Sequence, residues 1–474
     1  MSSLILNLKE NKIKIFLFSY GIFLSLIIPL MLYVGGKLII AVLLAPLLLI
    51  LMLDNFDYYL KPALMLCMFV YYYFDITRRI QLINLFSYVL IIYFLINFNK
   101  NLFHKYSLPI WVKFSSALLI LAVLLSSINS PFVSLKSIYY GFMFCIYIFT
   151  GYIVFKTLLS LSDIDEYLKY LIYAVAIYSI FIFINILLTG NFRARGLTGS
   201  AFSDIIVCSL LIVIYKNLFF EKSSAIYVVI AFILFFALIF DQSRFAWVGF
   251  ALSFLYGLII TSIYQRTKLM KKRLITILSS IFVGMLVVFI SGLYRLIIMR
   301  FSDVTFSVLQ SNAQNDIVAN SLDTRVLIWL TALSAFINNP LTGVGYFMFY
   351  SVSENYNVLP EFLYRDIVMG LDAHSTLINF LCETGIIGFL SILFLFIVIF
   401  VLSIKAITIS KTISDSSRSL ALNILVFFIE TTCFYSGAYT FGYNGYFLYF
   451  IFALVIANYV LLRKKQLTVK LEHL

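Results

Sequence analysis

Residues 372–404 read DAHSTLINFLCETGIIGFLSILFLFIVIFVLSI. After the polar opening Asp-Ala-His-Ser-Thr, the stretch is apolar apart from Asn379, Glu383 and a few hydroxyls. From 376 to 404 it exceeds the roughly twenty residues that an α-helix needs to cross a hydrocarbon core about 30 Å thick. Lipid favours that helix, because every backbone N–H and C=O then bonds within the segment.

The pattern recurs along the chain. Apolar stretches of similar length fall at 15–34, 36–53, 62–76, 82–98, 109–128, 132–157, 168–188, 198–219, 224–240, 245–264, 274–296, 376–404, 419–438 and 445–462. Of the 474 residues 63% are hydrophobic and 12% charged, against about half and a quarter in a soluble domain. The expected fold is therefore all-α: a polytopic membrane protein with about 14 transmembrane helices, 1–474 forming a single integral membrane domain. A β-barrel would need alternating ten-residue segments, which the sequence lacks. The run 15–34 follows Lys9, Lys12 and Lys14 and has no small-residue cleavage site, so it reads as a retained anchor. Cys67, Cys145, Cys208, Cys382 and Cys433 lie scattered in apolar spans, with no disulfide or metal spacing.

The formal charge of +13 has no basic soluble segment to carry it, which argues against nucleic acid. Loop cations that set orientation explain it better. With the N-terminus inside, 23 of the 34 Lys and Arg fall on the inner side, including Arg266–Arg273 and Arg463–Lys465. Both termini are then cytoplasmic. The inner cations are mostly Lys, whereas the outer ones are Arg78, Arg79, Arg193, Arg195, Arg244, Arg295, Arg300, Arg325 and Arg365 plus two Lys. Orientation needs only charge. Arg adds a planar fork that binds phosphate or carboxylate bidentately and keeps its charge when partly buried. The alternative reading is that Arg survives where it is buried while Lys fills exposed loops.

Residues 297–375 form the longest loop, expected on the outer side and partly helical. In it, Val326, Leu327, Trp329, Leu330, Leu333 and Phe336 follow helical spacing until Asn339-Pro340, as in an interfacial amphipathic helix.

Four polar features converge on the outer side: Arg193 and Arg195 in NFRARGLTGSAFSD, Arg244 in DQSRFAWVGF, Arg325 opening the loop helix, and His374. An even number of crossings separates each from the next. Several Arg at one leaflet suit a lipid-linked pyrophosphate, where they stabilise charge growing on a leaving group. His374, at a helix start with Asp372 as its expected N-cap, is the candidate base for an acceptor hydroxyl. His104 and His473 lie in an inner loop and the tail.

The segment from about 190 to 390 resembles the O-antigen ligase/polymerase superfamily. The resemblance lies in Arg195-Gly196, in Ser243-Arg244, in Arg325…Trp329…Asn339-Pro340-Leu341-Thr342-Gly343-Val344-Gly345, and in His374-Ser375…Leu377…Glu383-Thr384-Gly385…Gly388. Where the family has Asn after its His, this chain has Ser375. The resemblance implies a GT-C-like membrane glycosyltransferase that uses an undecaprenyl-pyrophosphate-linked oligosaccharide and needs neither metal nor cofactor. It carries pyrophosphate binding to Arg195, Arg244 and Arg325, with Arg193 as a neighbour, and acceptor activation to His374. Polymerisation of O-antigen or another surface polysaccharide is the expected function. The alternatives are a ligase acting on lipid A–core and, in another class, a flippase of lipid-linked repeats. Expected partners are the lipid-linked donor, membrane lipid and a chain-length regulator.

Four further features stay open. Asp163-Ile164-Asp165 has the form of a metal-binding DxD but lies in a short inner loop. Glu430 is costly inside a span and should face protein or a polar cavity. Glu383, two turns past His374, reads as a supporting or packing group. Gly343 and Gly345 read as turn glycines that shape the loop.

Overall fold

The computed structural model describes residues 106–132, 135–189, 202–218, 225–264, 321–410, 412–435 and 442–472, with short pieces between 73 and 95 and between 279 and 295. The expected spans 15–34, 36–53, 62–76, 82–98 and 274–296 lie wholly or mostly outside the described residues, as do Arg193, Arg195 and Cys67.

The main helices are α1 (Ile110–Asn129), α2 (Leu135–Thr157), α3 (Leu161–Thr189), α4 (Phe202–Ile212), α5 (Ala225–Asp241), α6 (Arg244–Tyr264), α7 (Ser321–Asn338), α8 (Thr376–Ile409), α9 (Ile413–Tyr435) and α10 (Gly442–Glu472). Seven of them, α1, α2, α3, α6, α8, α9 and α10, are long and apolar enough to cross a membrane. The protein is all-α and multi-pass, save for a two-residue antiparallel ladder, Tyr73–Phe74 against Ile80–Gln81. That ladder corrects the end expected for the span 62–76, because Tyr73 and Phe74 are extended rather than helical.

Several helices outrun their apolar cores. α3 begins at Leu161 rather than 168, α8 continues to Ile409, and α10 continues past Arg463, Lys464 and Lys465. A helix needs no apolar side chains once it leaves lipid, so hydropathy marks the membrane-crossing part and not the helix end. α4 passes into a π turn at Val213–Leu218.

Helix α9 sits centrally, packed against α4, α6, α8 and α10, while α10 also packs on α2 and α3. Their contacts form one core rich in aromatics, in which Tyr147, Tyr167, Tyr215 and Phe144 are fully buried. The described cysteines, Cys145, Cys208, Cys382 and Cys433, are free thiols.

One end of the bundle is tied by ion pairs. Asp165 at the start of α3 pairs with Arg418 (2.7 Å) and Lys216 (3.3 Å), and Asp415 pairs with Arg418 (3.2 Å) and Lys465 (2.8 Å). Asp163 accepts from the Ser160 N–H at 2.8 Å. The Asp-Ile-Asp sequence therefore caps and staples helices. Arg418 is deeply buried, the environment in which Arg was expected to persist.

At the opposite end, residues 321–375 fold into a cap with its own small core, built from Ile328, Ala332, Ala335, Val344, Phe349, Tyr364 and Val368 and closed by Cys382 of α8. Two faces of α7 are apolar. Ile328, Ala332 and Ala335 are buried in the cap, while Val326, Leu330, Leu333 and Ile337 are exposed along the other side.

The cap is fixed to α8 by a break in that helix. Gly385 has φ 65° and ψ −167°, so 376–404 is not one continuous helix. The break exchanges hydrogen-bond partners. Ile386 N–H, which would bond Cys382 in a helix, bonds the Pro340 carbonyl at 2.8 Å. The freed carbonyls of Cys382 and Glu383 accept from Val344 (2.9 Å) and Gly345 (3.0 Å). Each of these three displaced backbone groups has a partner, as burial requires. Both backbones approach closely because Gly343 and Gly385 have positive φ and no Cβ; a Cβ on either would strike the other segment's backbone.

Candidate active site

The start of α6, the start of α8, the end of α9 and the first turns of α7 meet at the cap end of the bundle. Arg325, on α7, spreads its guanidinium 3.7 Å from the centroid of Phe245 and donates through Nη1 to the Tyr435 carbonyl. Phe245 stacks on Tyr435 (5.3 Å, 26°), and the Tyr435 hydroxyl donates to the Phe245 carbonyl at 3.3 Å. A cation at the C-terminal end of α9 is favoured by the helix dipole. Burial pulls the Arg325 guanidinium down to about 10, with Asp372 opposing and the Arg244 charge contributing. It stays a cation at neutral pH.

Arg244 opens α6 directly after a tight turn at Asp241 and Gln242, where Gln242 takes φ 54°. The turn is closed by the Trp247 indole, which donates to the Leu238 carbonyl at 2.8 Å. Arg244 is half-buried and close enough to Arg325 for their charges to interact. Asp204, buried in the first turn of α4, lies within electrostatic range of Tyr435.

His374 stands two residues before α8 in the left-handed conformation, φ 48°. Its neighbours hold that shape. Ala373 donates its N–H to Asn379 Oδ1 (2.9 Å), and the Ala373 carbonyl accepts from the Trp329 indole of α7 (2.8 Å). The N-cap of α8 is Ser375, whose hydroxyl accepts from Ile378 N–H at 3.3 Å. This corrects the expectation for Asp372. The helix starts at Thr376, which leaves Asp372 too early to cap it. Asp372 instead accepts from His374 twice, from the ring Nδ1 and from the backbone N–H at 3.1 Å.

Burial opposes ionisation of Asp372, but the hydrogen bonds from His374 and the nearby Arg325 charge outweigh it, so the carboxyl lies below its ordinary value. An ionised carboxylate only accepts, so Nδ1 must carry the proton. In the neutral ring Nε2 is then the nitrogen with the lone pair.

Glu383 supports this arrangement from below. Its carboxylate is buried and accepts from Phe347 N–H (2.9 Å) and Phe349 N–H (3.2 Å). Phe347 is itself left-handed at φ 55°. The side chain thereby pins the cap loop to the short helical segment that follows His374. Glu430 in α9 has an Oε1 with no hydrogen-bond partner among the described residues.

Of the residues singled out from the sequence, Arg244, Arg325 and His374 meet here. Sequence reading missed Asp372 as the partner of His374, and also Asn379, Phe245, Tyr435 and Asp204. An acidic residue two positions before a lone His at a span start was the available signal for Asp372. The Tyr435 carbonyl left none.

Residues 229–393 match the family described as O-antigen ligase. That stretch of the chain is similar to O-antigen ligases. The matched segment runs from within α5 into α8 and holds Arg244, Arg325, Asp372 and His374, whereas Arg193 and Arg195 precede it. This family supports a function of the O-antigen ligase/polymerase type, a membrane glycosyltransferase-like activity. Among curated proteins, none matches the chain.

Proposed function

We propose that the protein polymerises a surface polysaccharide at the periplasmic face of the bacterial inner membrane, both termini being cytoplasmic. Growing glycan moves from undecaprenyl pyrophosphate to a hydroxyl of a second lipid-linked repeat. The observation that carries this reading is the Asp372–His374 pair beside Arg325 and Arg244 at one end of the bundle.

In this GT-C-like reaction His374 Nε2 takes the acceptor O–H proton as the oxygen attacks the anomeric carbon. The bond from that carbon to the pyrophosphate oxygen breaks, and the electron pair leaves with undecaprenyl pyrophosphate. Direct displacement inverts the anomeric centre. Asp372 holds the ring and stabilises the imidazolium that forms. Arg325 has five N–H donors, one of which the Tyr435 carbonyl takes. The others, with Arg244, Arg193 and Arg195, meet the charge developing on the leaving group. No step calls for a metal or cofactor.

The match to a family described as O-antigen ligase is equally compatible with a second reading, transfer of finished glycan to lipid A–core. A strain lacking the protein separates the two. Single-repeat product at the surface with no ladder supports the polymerase. A full ladder left on the carrier lipid supports the ligase. Single repeats trapped on the inner face would replace both with a flippase.

A further inference from the structure

At the end of the bundle opposite His374, two lysines meet one tyrosine and a third lies near them. Lys156 donates to the Tyr106 carbonyl at 2.8 Å, and Lys464 contacts the Tyr106 hydroxyl with its ammonium 4.9 Å from the ring centroid. Lys113 lies near enough for its charge to act on Lys156. Three other cations at this end, Lys216, Arg418 and Lys465, are neutralised by Asp165 or Asp415. Among the described residues, Lys113 and Lys464 have no carboxylate partner.

Beside these lysines opens an apolar groove of about 310 Å³ between α1, α2, α8 and α10. Lys113 lies on its rim, and its walls include Val112, Ala117, Phe149, Tyr152, Leu395 and Phe452. Trp111, on the same turn of α1 as Lys113, is 62% exposed and meets Phe394 edge-on. An exposed Trp at the end of a membrane helix marks the headgroup level. Unneutralised cations at headgroup depth, above an apolar slot between helices, match the two ends of an anionic lipid.

We propose that this groove binds a phospholipid with an anionic head group, one acyl chain between α1, α2, α8 and α10 and the phosphate held by Lys113 and Lys464. The occupant is a resident lipid of the leaflet opposite the His374 site. The inference does not depend on which sugar transfer the protein performs.

Native mass spectrometry tests it on the full chain reconstituted in nanodiscs of phosphatidylethanolamine and phosphatidylglycerol. The wild type should leave the membrane carrying phosphatidylglycerol. Lys113→Gln with Lys464→Gln should reduce that adduct by about tenfold. Ala117→Trp, which fills the groove from an exposed position, should remove it with the lysines intact. Lys405→Gln, an exposed cation elsewhere at this end, should leave it unchanged. Equal retention in the lysine and tryptophan variants overturns the proposal. So does a preference for phosphatidylethanolamine, or a polyprenyl phosphate recovered in place of phospholipid.

Discussion

Asp372 accepts two hydrogen bonds from a single neighbour, the ring Nδ1 of His374 and the backbone N–H of the same residue. That double contact is possible because His374 adopts φ 48°, which folds its ring back over the preceding carboxylate. A position in the left-handed region is unfavourable for a side chain of this size and persists only where surrounding contacts enforce it. Asn379, Trp329 and Ser375 supply them here.

Asp372→Asn should therefore act through the ring. An amide can donate to Nδ1 and move the proton to Nε2, removing the lone pair aimed at the acceptor. Transfer by reconstituted protein from a lipid-linked donor should fall by about 10²–10⁴ in kcat, with little change in donor KM. Unchanged turnover would remove Asp372 from the mechanism.

The same pair gives a pH signature. The folded carboxyl lies below the unfolded value of about 3.9, so its contribution to stability is present above that value and is lost as pH falls through the folded one. Melting curves of wild type and Asp372→Asn should differ above about pH 5. The gap should close only below about pH 3.9. Closure near neutral pH would assign the effect to another group.

Arg325 is expected to resist conservative replacement. Lysine carries the charge but cannot stack flat on Phe245 while donating in plane to the Tyr435 carbonyl. Arg325→Lys should raise donor KM by roughly tenfold, the loss of one partly buried cation–π contact and its directed bond. A lysine variant with wild-type donor KM would show that charge alone suffices.

Glu383 separates architecture from chemistry. Glu383→Ala leaves the Phe347 and Phe349 N–H groups without their acceptor, at about 1–3 kcal/mol each. Glu383→Gln keeps an acceptor oxygen and should cost less than half as much. Melting temperature and protease cleavage within 339–368 measure the difference. If alanine and glutamine behave alike, the cap is held by the Gly343–Gly385 contact and its backbone bonds.

Much of the fold is legible from hydropathy alone, because lipid gives a chain of this composition little choice. The described helices at 110–129, 135–157, 244–264 and 376–409 lie close to the apolar runs at 109–128, 132–157, 245–264 and 376–404. Arg244 and His374, at span starts, and Arg325, at the start of the loop helix, were also legible, since even numbers of crossings between them put them on one side. The break at Gly385 was not. Glycine is common in membrane helices, and only the approach of Pro340–Gly345 turns this one into a hinge between two hydrogen-bond sets. Nor was the partner of His374 legible, since Asp372 at a helix start reads equally as a cap.

The sequence by itself determined that this chain spans a membrane repeatedly as helices, because that follows from solvation of side chains one at a time. Tertiary structure alone decided which of its charges meet. Arg325 finds Phe245 and the Tyr435 carbonyl, Lys464 finds Tyr106, and Arg418 finds Asp165 across long stretches of chain. Such contacts depend on how helices pack and rotate against one another, which the side-chain pattern of any single helix does not contain.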